Sequence, residues 1–191
     1  MCPADSIIAG MRSIRAAKFT AEENDAALCR ELMREYALHL NASVGSRHIC
    51  VEALENELAA LPGSYGEPAG AVLLAFVGEQ PAGCVALQPL KANRPAVPTE
   101  RACEMKRLWI RPAHQATGLG RALAEAVMDA ARERGYTAMY LDTLPASMQA
   151  AHRLYLSLGF RPVERYNQNP VLRSTAAHTD TPQIAFLRRN L

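Results

Sequence analysis

Long apolar segments are missing from this sequence of 191 residues. A membrane-spanning helix needs about 20 consecutive apolar residues, whereas the longest apolar run here, Ala69 to Val77, has only the length of a strand. The segment from Met1 to Asp5 has neither the basic region nor the apolar region of a secretory signal. We therefore expect a cytoplasmic protein that does not act at a membrane.

Cysteine pairs and runs of one charge are also missing. The five cysteines are an odd number, lie far apart and include no Cys-x-x-Cys pair, which argues against a disulfide framework and a zinc site. His48 and Cys50 are two residues apart, but no second pair completes a metal site. The formal net charge is only +2, with basic residues scattered among acidic ones. We expect no bound metal and no nucleic-acid partner.

What the sequence does contain is an alternation of strand-like and helix-like segments. It is 49% hydrophobic and 21% charged, as globular proteins are, and its length suggests one domain over residues 1–191. The spacing of apolar residues predicts helices over 21–40, 51–61, 118–134 and 146–158. Strands are predicted over 13–18, 71–77, 83–87, 102–110, 136–141, 160–165 and 183–188. This interleaving is typical of an α/β fold.

Local signals set the limits of the first two helices. Thr20 followed by Glu23 matches a capping box, which would begin the first helix at Ala21. A break is expected over residues 41–47, and Pro62 with Gly63 should end the second helix.

The most informative segment joins a strand to a helix between residues 104 and 121. A strand-like run ends near Pro112, and Gln115, Gly118 and Gly120 then precede an apolar helix pattern. Glycine has no Cβ and allows a tight turn with close approach to a bulky anion. The first N–H groups of a helix have no partner inside it, and the helix dipole adds positive charge there. The segment therefore predicts a pyrophosphate-binding turn.

Other phosphate loops fit this segment less well. A dinucleotide fingerprint would have a third glycine where Leu123 stands, and the Gly-Lys-Ser/Thr of a P-loop is absent. On the glycines alone, a strand–helix turn without any ligand stays an equal alternative.

Two motifs together resemble the GCN5-related N-acetyltransferase (GNAT) superfamily. Gln115, Gly118 and Gly120 occupy the places of its acyl-CoA-binding signature, and the segment 151–160, with Tyr155 and Gly159, resembles the end of its next helix. The resemblance covers about residues 70–165. It implies a single GNAT domain with a mixed, mostly antiparallel seven-stranded sheet flanked by helices. The acyl-CoA-binding core would be about residues 102–160, with acetyl-CoA as co-substrate and no metal.

The resemblance also implies a set of contacts to acetyl-CoA. The freed edge of the strand end would bind the pantetheine arm and the acetyl oxygen, and the glycine turn would bind the pyrophosphate. The residues implied are Leu108, Trp109, Ile110, Gln115, Ala116, Thr117, Gly118, Leu119, Gly120, Arg121 and Met148. Met148 stands where many relatives carry Asn, and Ser147 or Gln149 could replace that contact. Gln115 stands where many carry Arg, so that Arg121 or Arg111 would have to help the backbone amides.

Three residues are candidates for proton transfer. By resemblance Tyr155 is the acid that protonates the departing thiolate, and its ordinary pKa of about 10 means that it is protonated at neutral pH. Glu104 and Asp142 are alternative bases for the amine, although a free carboxylate has a pKa near 4. An amine of modest pKa could also react without a protein base.

The leading hypothesis is an N-acetyltransferase that moves the acetyl group directly to a primary amine of a small molecule or peptide. No Cys or Ser lies in a nucleophile elbow, which agrees with transfer without an acyl-enzyme. A non-catalytic acyl-CoA-binding or sensing module is the alternative, and a protein-interaction or ribosome-associated factor with a structural glycine turn is a third. A homodimer is possible, since dimers are common in the family.

Overall fold

The computed structural model describes residues 11–44, 51–90, 100–167 and 183–191. Seven strands form one sheet in the order β1-β2-β3-β4-β5-β7-β6. Their bounds are β1 Arg12–Ala16, β2 Ala71–Val77, β3 Gln80–Pro89, β4 Ala102–Ile110, β5 Ala138–Thr143, β6 Arg161–Pro162 and β7 Ala185–Asn190. The pair β4–β5 is parallel, and every other pair in the sheet is antiparallel.

Helices cover both faces of the sheet. Their bounds are α1 Ala26–Val44, α2 Val51–Ala59, α3 Leu119–Glu133 and α4 Gln149–Ser157. The larger core cluster packs the apolar face of α3 and Tyr155 of α4 on one face of the sheet. A second cluster packs α1 and α2 on the other face. In the described parts of the chain, no helix has the length and apolar character needed to cross a membrane.

The parallel pair is short, and this creates a gap in the sheet. β4 and β5 pair only from Ala102 with Ala138 to Glu104 with Tyr140. Beyond Glu104, β4 continues to Ile110 along β3 alone, and β5 continues along β7. The edge of β4 that faces β5 is therefore without a strand partner beyond Glu104. The expected fold, with a splayed strand before the glycine turn, is confirmed.

A bulge at Arg107 bends β4 where the gap opens. The pairing of β4 with β3 shifts register between Cys84 and Ala86, and Arg107 has a φ of 58°. The Arg107 guanidinium donates to both carboxylate oxygens of Glu57 in α2, over 3.0 and 2.7 Å. It also lies 5.8 Å from the ring centre of Tyr36 in α1. A partly buried ion pair thus stabilises a conformation that is strained for a residue with a side chain.

Several element boundaries differ from the sequence predictions. The capping box is wrong: Thr20 Oγ1 does accept from the N–H of Glu23, but α1 begins only at Ala26, whose N–H donates to Asn24 Oδ1. α1 also continues through Val44, where a break was expected.

The bounds of the later strands and of α4 also differ from the predictions. β5 begins two residues later than predicted because Tyr136 belongs to the turn after α3. β6 is only Arg161–Pro162 and β7 is Ala185–Asn190, so both depart from the predicted bounds. α4 is shorter, at Gln149–Ser157. The pair of His48 and Cys50 lies outside the described residues.

Candidate active site

A cleft of about 390 Å³ opens between the end of β4, the start of α3 and the start of α4. Its lining residues are His39, Leu108, Trp109, Ile110, Gln115, Ala116, Gly118, Gly120, Arg121, Ser147, Met148, Gln149, Ala150, Ala151 and Leu154. Of the eleven cofactor-binding residues predicted from the sequence, the structure thus brings all but Thr117 and Leu119 together around one cavity.

The glycine turn presents an unbroken series of backbone donors. Ala116 and Gly118 have φ values of 58° and 86°, which bends the chain sharply. The N–H groups of residues 116–121 donate no hydrogen bond to the described residues, and the first helical bond of α3 comes from the N–H of Ala122. Unpaired N–H groups at a helix N-terminus and in a turn of this kind form an anion site. The turn therefore fits a pyrophosphate.

Side-chain hydrogen bonds and one buried side chain hold the turn in place. Gln115 Nε2 donates to the carbonyl oxygen of Ile110 over 2.9 Å, and Thr117 Oγ1 donates to that of His114 over 2.7 Å. Leu119 is buried in the core with 1% exposure. Thr117 and Leu119 can therefore offer a ligand only their backbone N–H groups.

The guanidinium groups near the turn differ in how they are paired. Arg111 cannot assist there, because Glu35 and Glu31 of α1 bind its guanidinium. Arg121 lines the cleft while it donates to Ser157 Oγ over 2.7 Å. Arg12, which sequence reasoning missed, donates from Nη1 to the carbonyl oxygen of Thr117 over 2.6 Å. No sequence signal connects a residue of β1 to this turn.

Trp109 and His39 form the wall of the cleft on the α1 side. Trp109 is 6% exposed, belongs to the core under α1 and also lines the cleft. Its Nε1 donates to Glu35 Oε2 over 3.0 Å. His39 of α1 lies 5.0 Å from the Trp109 ring, and its place at the cleft was not expected from the sequence.

A cluster of polar side chains lies where β4 and β5 part, and we call it the polar cluster. Its members are Gln88, Glu104, Asp142, Tyr166 and Asn167. Glu104 is 5% exposed, yet its carboxylate accepts hydrogen bonds from Gln88 Nε2 over 2.7 Å and from Tyr166 Oη over 2.8 Å. Lys106 Nζ is 3.5 Å from Oε1. Burial, and after it the Glu104 charge, raises the pKa of Tyr166 well above its usual range, so this hydroxyl keeps its proton and donates it.

Asn167 connects this carboxylate to Asp142 on the neighbouring strand. Its Nδ2 donates to Glu104 Oε1 over 3.0 Å and to Asp142 Oδ2 over 2.8 Å. The reverse orientation of the amide would place its oxygen against both carboxylates. Asn167 Oδ1 and Thr143 Oγ1 are buried without a hydrogen-bond partner. No sequence signal indicates Gln88 or Tyr166 as a partner of Glu104.

Tyr155 lies in α4 and belongs to the larger core cluster, on the α3 face of the sheet. It is 6% exposed and packs its ring edge against Phe160, with 6.0 Å between ring centres. Burial raises the pKa of Tyr155 above its usual range, and Tyr36 and the charge of Asp142 add to the effect. Its hydroxyl makes no hydrogen bond with the described residues. Tyr155 is therefore a neutral hydroxyl whose hydrogen-bond donor is unused by the described residues.

The described residues contain no group of three or more His, Cys, Asp or Glu side chains that could bind a metal ion.

The sequence matches the profile of the Acetyltransferase (GNAT) family over residues 27–160. An uncharacterised N-acetyltransferase of Schizosaccharomyces pombe is 33% identical over 178 residues, which are 92% of this chain and 93% of that protein. N-acetylaspartate synthetase of Danio rerio is 31% identical over 112 residues, 58% of this chain and 37% of that protein. The chain therefore belongs to the GNAT family and is an acyltransferase.

Solved structures show the same fold. An acetyltransferase of Streptococcus agalactiae superposes with a TM-score of 0.66 at 19% identity, covering 94% of this chain and 98% of that one. The Salmonella typhimurium protein yncA, solved with its cofactor acetyl-CoA, gives a TM-score of 0.65 at 23% identity over 94% of each chain. At these identities the likeness establishes a single GNAT-fold domain.

Proposed function

We propose that this protein transfers the acetyl group of acetyl-CoA directly to a primary amine of a small molecule or peptide. The observation that carries the proposal is the polar cluster where β4 and β5 part. The carboxylates of Glu104 and Asp142 and the unpartnered Asn167 Oδ1 are all hydrogen-bond acceptors. An ammonium group has three donors and no acceptor, so it is the ligand that complements these atoms.

The acyl-CoA-binding core is proposed to be residues 102–160. Acetyl-CoA supplies the acetyl group as a thioester. The N–H groups of residues 116–121 bind the pyrophosphate, and the unpaired edge of β4 near Leu108 and Ile110 binds the pantetheine arm. The strand edge also offers a backbone N–H to the acetyl oxygen, and a donor of this kind lowers an acyl-transfer barrier by about 3 kcal/mol in known oxyanion sites.

Proton transfers on both sides of the thioester complete the proposed reaction. A carboxylate, Glu104 or Asp142, accepts the first proton of the ammonium and exposes the nitrogen lone pair. The C–N bond forms and the C–S bond breaks, while Tyr155 donates its proton to the sulfur. Tyr155 regains a proton from the nitrogen, and the carboxylate releases its proton to solvent. One acetyl amide, one thiol and one proton result.

The name of one relative suggests which acceptor amines to test first. N-acetylaspartate synthetase carries the name of an acetylated amino acid, so α-amino acids are the first group to test here. Lys106, whose Nζ lies 3.5 Å from Glu104 Oε1, would offer its charge to the carboxylate of such a substrate. The cytoplasmic location and the homodimer stay predictions.

The test is thiol release from acetyl-CoA with a panel of amines, each matched to the alcohol of the same carbon skeleton. We expect release with one or more primary amines, none with the alcohols, and a product heavier by one acetyl group. Tight acetyl-CoA binding with no turnover on any amine, α-amino acid or peptide would contradict the transfer and favour a binding module.

A further inference from the structure

We propose that Arg12 binds the pyrophosphate of the coenzyme A ester and supplies the positive charge that Gln115 does not carry. This rests on the proposed function, because it requires an acyl-CoA in the cleft. The contact joins β1 to the glycine turn, which lies 105 positions further along the sequence.

The register of β1 directs Arg12 toward the turn. Arg12 pairs with Val77 at the edge of the sheet, and side chains alternate between the two faces along a strand. Ile14, two residues on, packs with the core on the α3 face, so Arg12 lies on that face as well. Its Nη1 is 2.6 Å from the carbonyl oxygen of Thr117. A Cβ on Gly118 would be 3.9 Å from the same nitrogen.

The charge of Arg12 is not neutralised by the described residues. It makes no ion pair with any of their carboxylates, and its one hydrogen bond uses Nη1. Arginine carries five N–H donors, so Nη2 and Nε stay available. Arg15, on the same strand but the opposite face, is in contrast ion-paired with Asp25 over 2.6 Å.

The hydrogen bond to Thr117 also suits an anion in the turn. A carbonyl oxygen close to a phosphate repels it, and the guanidinium beside this oxygen offsets that repulsion. Hydrogen bonds between arginine and phosphate are charge-assisted and stronger than neutral ones. Together with the N–H groups of residues 116–121, Arg12 gives the turn a side-chain cation from outside the family motif.

The experiment measures dissociation constants by calorimetry for three ligands: acetyl-CoA, acetyl-dephospho-CoA and S-acetylpantetheine. Replacing an exposed arginine that contacts phosphate should weaken binding about threefold to tenfold. For Arg12→Gln we expect this loss with the first two ligands, which share the pyrophosphate, and no loss with S-acetylpantetheine. Arg12→Lys should recover most of the affinity.

Arg132→Gln is the matched control, because it removes the same charge from the last turn of α3 and separates Asp129 from its partner. α3 places Arg132 about 20 Å from the turn, so its affinity for acetyl-CoA should stay at the wild-type value. The decline of affinity with rising salt should be shallower in Arg12→Gln than in Arg132→Gln.

The outcomes separate the two proposals. If wild-type protein binds acetyl-CoA and Arg12→Gln binds it equally well, the inference about Arg12 is wrong and the proposed function stands. An Arg12→Lys variant as weak as Arg12→Gln, or an equal loss for S-acetylpantetheine, would also overturn it. If wild-type protein binds none of the three ligands, the proposed function fails first.

Discussion

The two ends of strand β4 offer opposite polarity to a ligand. Beyond its C-terminal end, the N–H groups of residues 116–121 and the guanidinium of Arg12 are donors. Near its N-terminal end, Glu104, Asp142 and Asn167 Oδ1 are acceptors. One end suits an anion and the other a cation. The proposed transfer from a phosphorylated thioester to an ammonium would use both ends, the donors for the phosphates and the acceptors for the ammonium.

The two ends are also built in different ways. Apart from Arg12, the donors at the first end are backbone N–H groups, for which a single turn with suitable φ values suffices. A buried carboxylate requires several donors around it, and here Gln88, Tyr166 and Asn167 come from β3 and from the chain after β6. The backbone donors therefore come from one continuous segment, whereas the acceptor end is assembled from segments that are distant in sequence.

The bulge at Arg107 separates the two ends, and breaking it should have the largest effect on stability. Glu57→Gln leaves the partly buried guanidinium of Arg107 without its counter-charge, and we expect the free energy of unfolding in urea to fall by about 2 kcal/mol. Glu55→Gln on the same helix breaks the exposed pair with Arg34 and should change it little. Equal losses in both variants would show that the bulge does not depend on this ion pair.

The ion pair between Glu57 and Arg107 also predicts that the free energy of unfolding depends on pH. Burial alone would raise the pKa of Glu57, but the hydrogen bonds and charge of Arg107 hold it below its ordinary value of 4.5. This carboxylate therefore stabilises the fold fully above that value, and its contribution is lost as the pH falls through the lower folded-state pKa. The stability gap between wild type and Glu57→Gln should narrow on acidification. A stability difference that grows on acidification would contradict a lowered pKa of Glu57.

Glu104→Gln should remove the base function at the acceptor end and leave the donor end intact. The amide keeps the shape of the side chain but cannot take a proton, so we expect kcat to fall about a hundredfold. The dissociation constant of acetyl-CoA should stay within about twofold, because the pyrophosphate lies at the other end. Asp142→Asn, measured in parallel, decides between the carboxylates: the variant with the larger fall lacks the base. If neither loses activity, the amine reacts without a protein base.

Tyr155→Phe should reduce kcat about thirtyfold, because the departing thiolate then lacks its proton donor. Tyr136→Phe is the control: this tyrosine is also buried, but its hydroxyl donates to the carbonyl oxygen of Ala69 over 2.8 Å. Burial raises the pKa of Tyr155 from its ordinary 10.0, so the wild-type rate should not decline through tyrosine ionisation as the pH approaches that value. Equal rates in Tyr155→Phe and wild type would exclude the hydroxyl as the acid.

Sequence reasoning succeeded where structure is local. The segment from Glu104 to Arg121 is continuous, so the strand, the turn and α3 were predictable from apolar spacing and two glycines. Arg12 and Asn167 reach the site only through the pairing of β1 with β2 and through the chain after β6. The capping box failed for a related reason: Thr20 and Glu23 do bond, but the bridge between Phe19 and Asn24 keeps the segment out of the helix.

Gly118→Ala tests the donor end with the smallest expected effect. Gly118 has a φ of 86°, and an added Cβ would meet only Arg12 Nη1 at 3.9 Å. The cost is therefore backbone strain of about 1 kcal/mol, which should weaken acetyl-CoA binding up to about tenfold as the N–H groups move. Gly78→Ala imposes the same strain at a φ of 59° in the β2–β3 turn, with no atom within 4 Å. It should lower the melting temperature by a similar amount and leave acetyl-CoA affinity unchanged. If Gly118→Ala loses stability but no affinity, the left-handed turn is needed by the fold and not by the ligand.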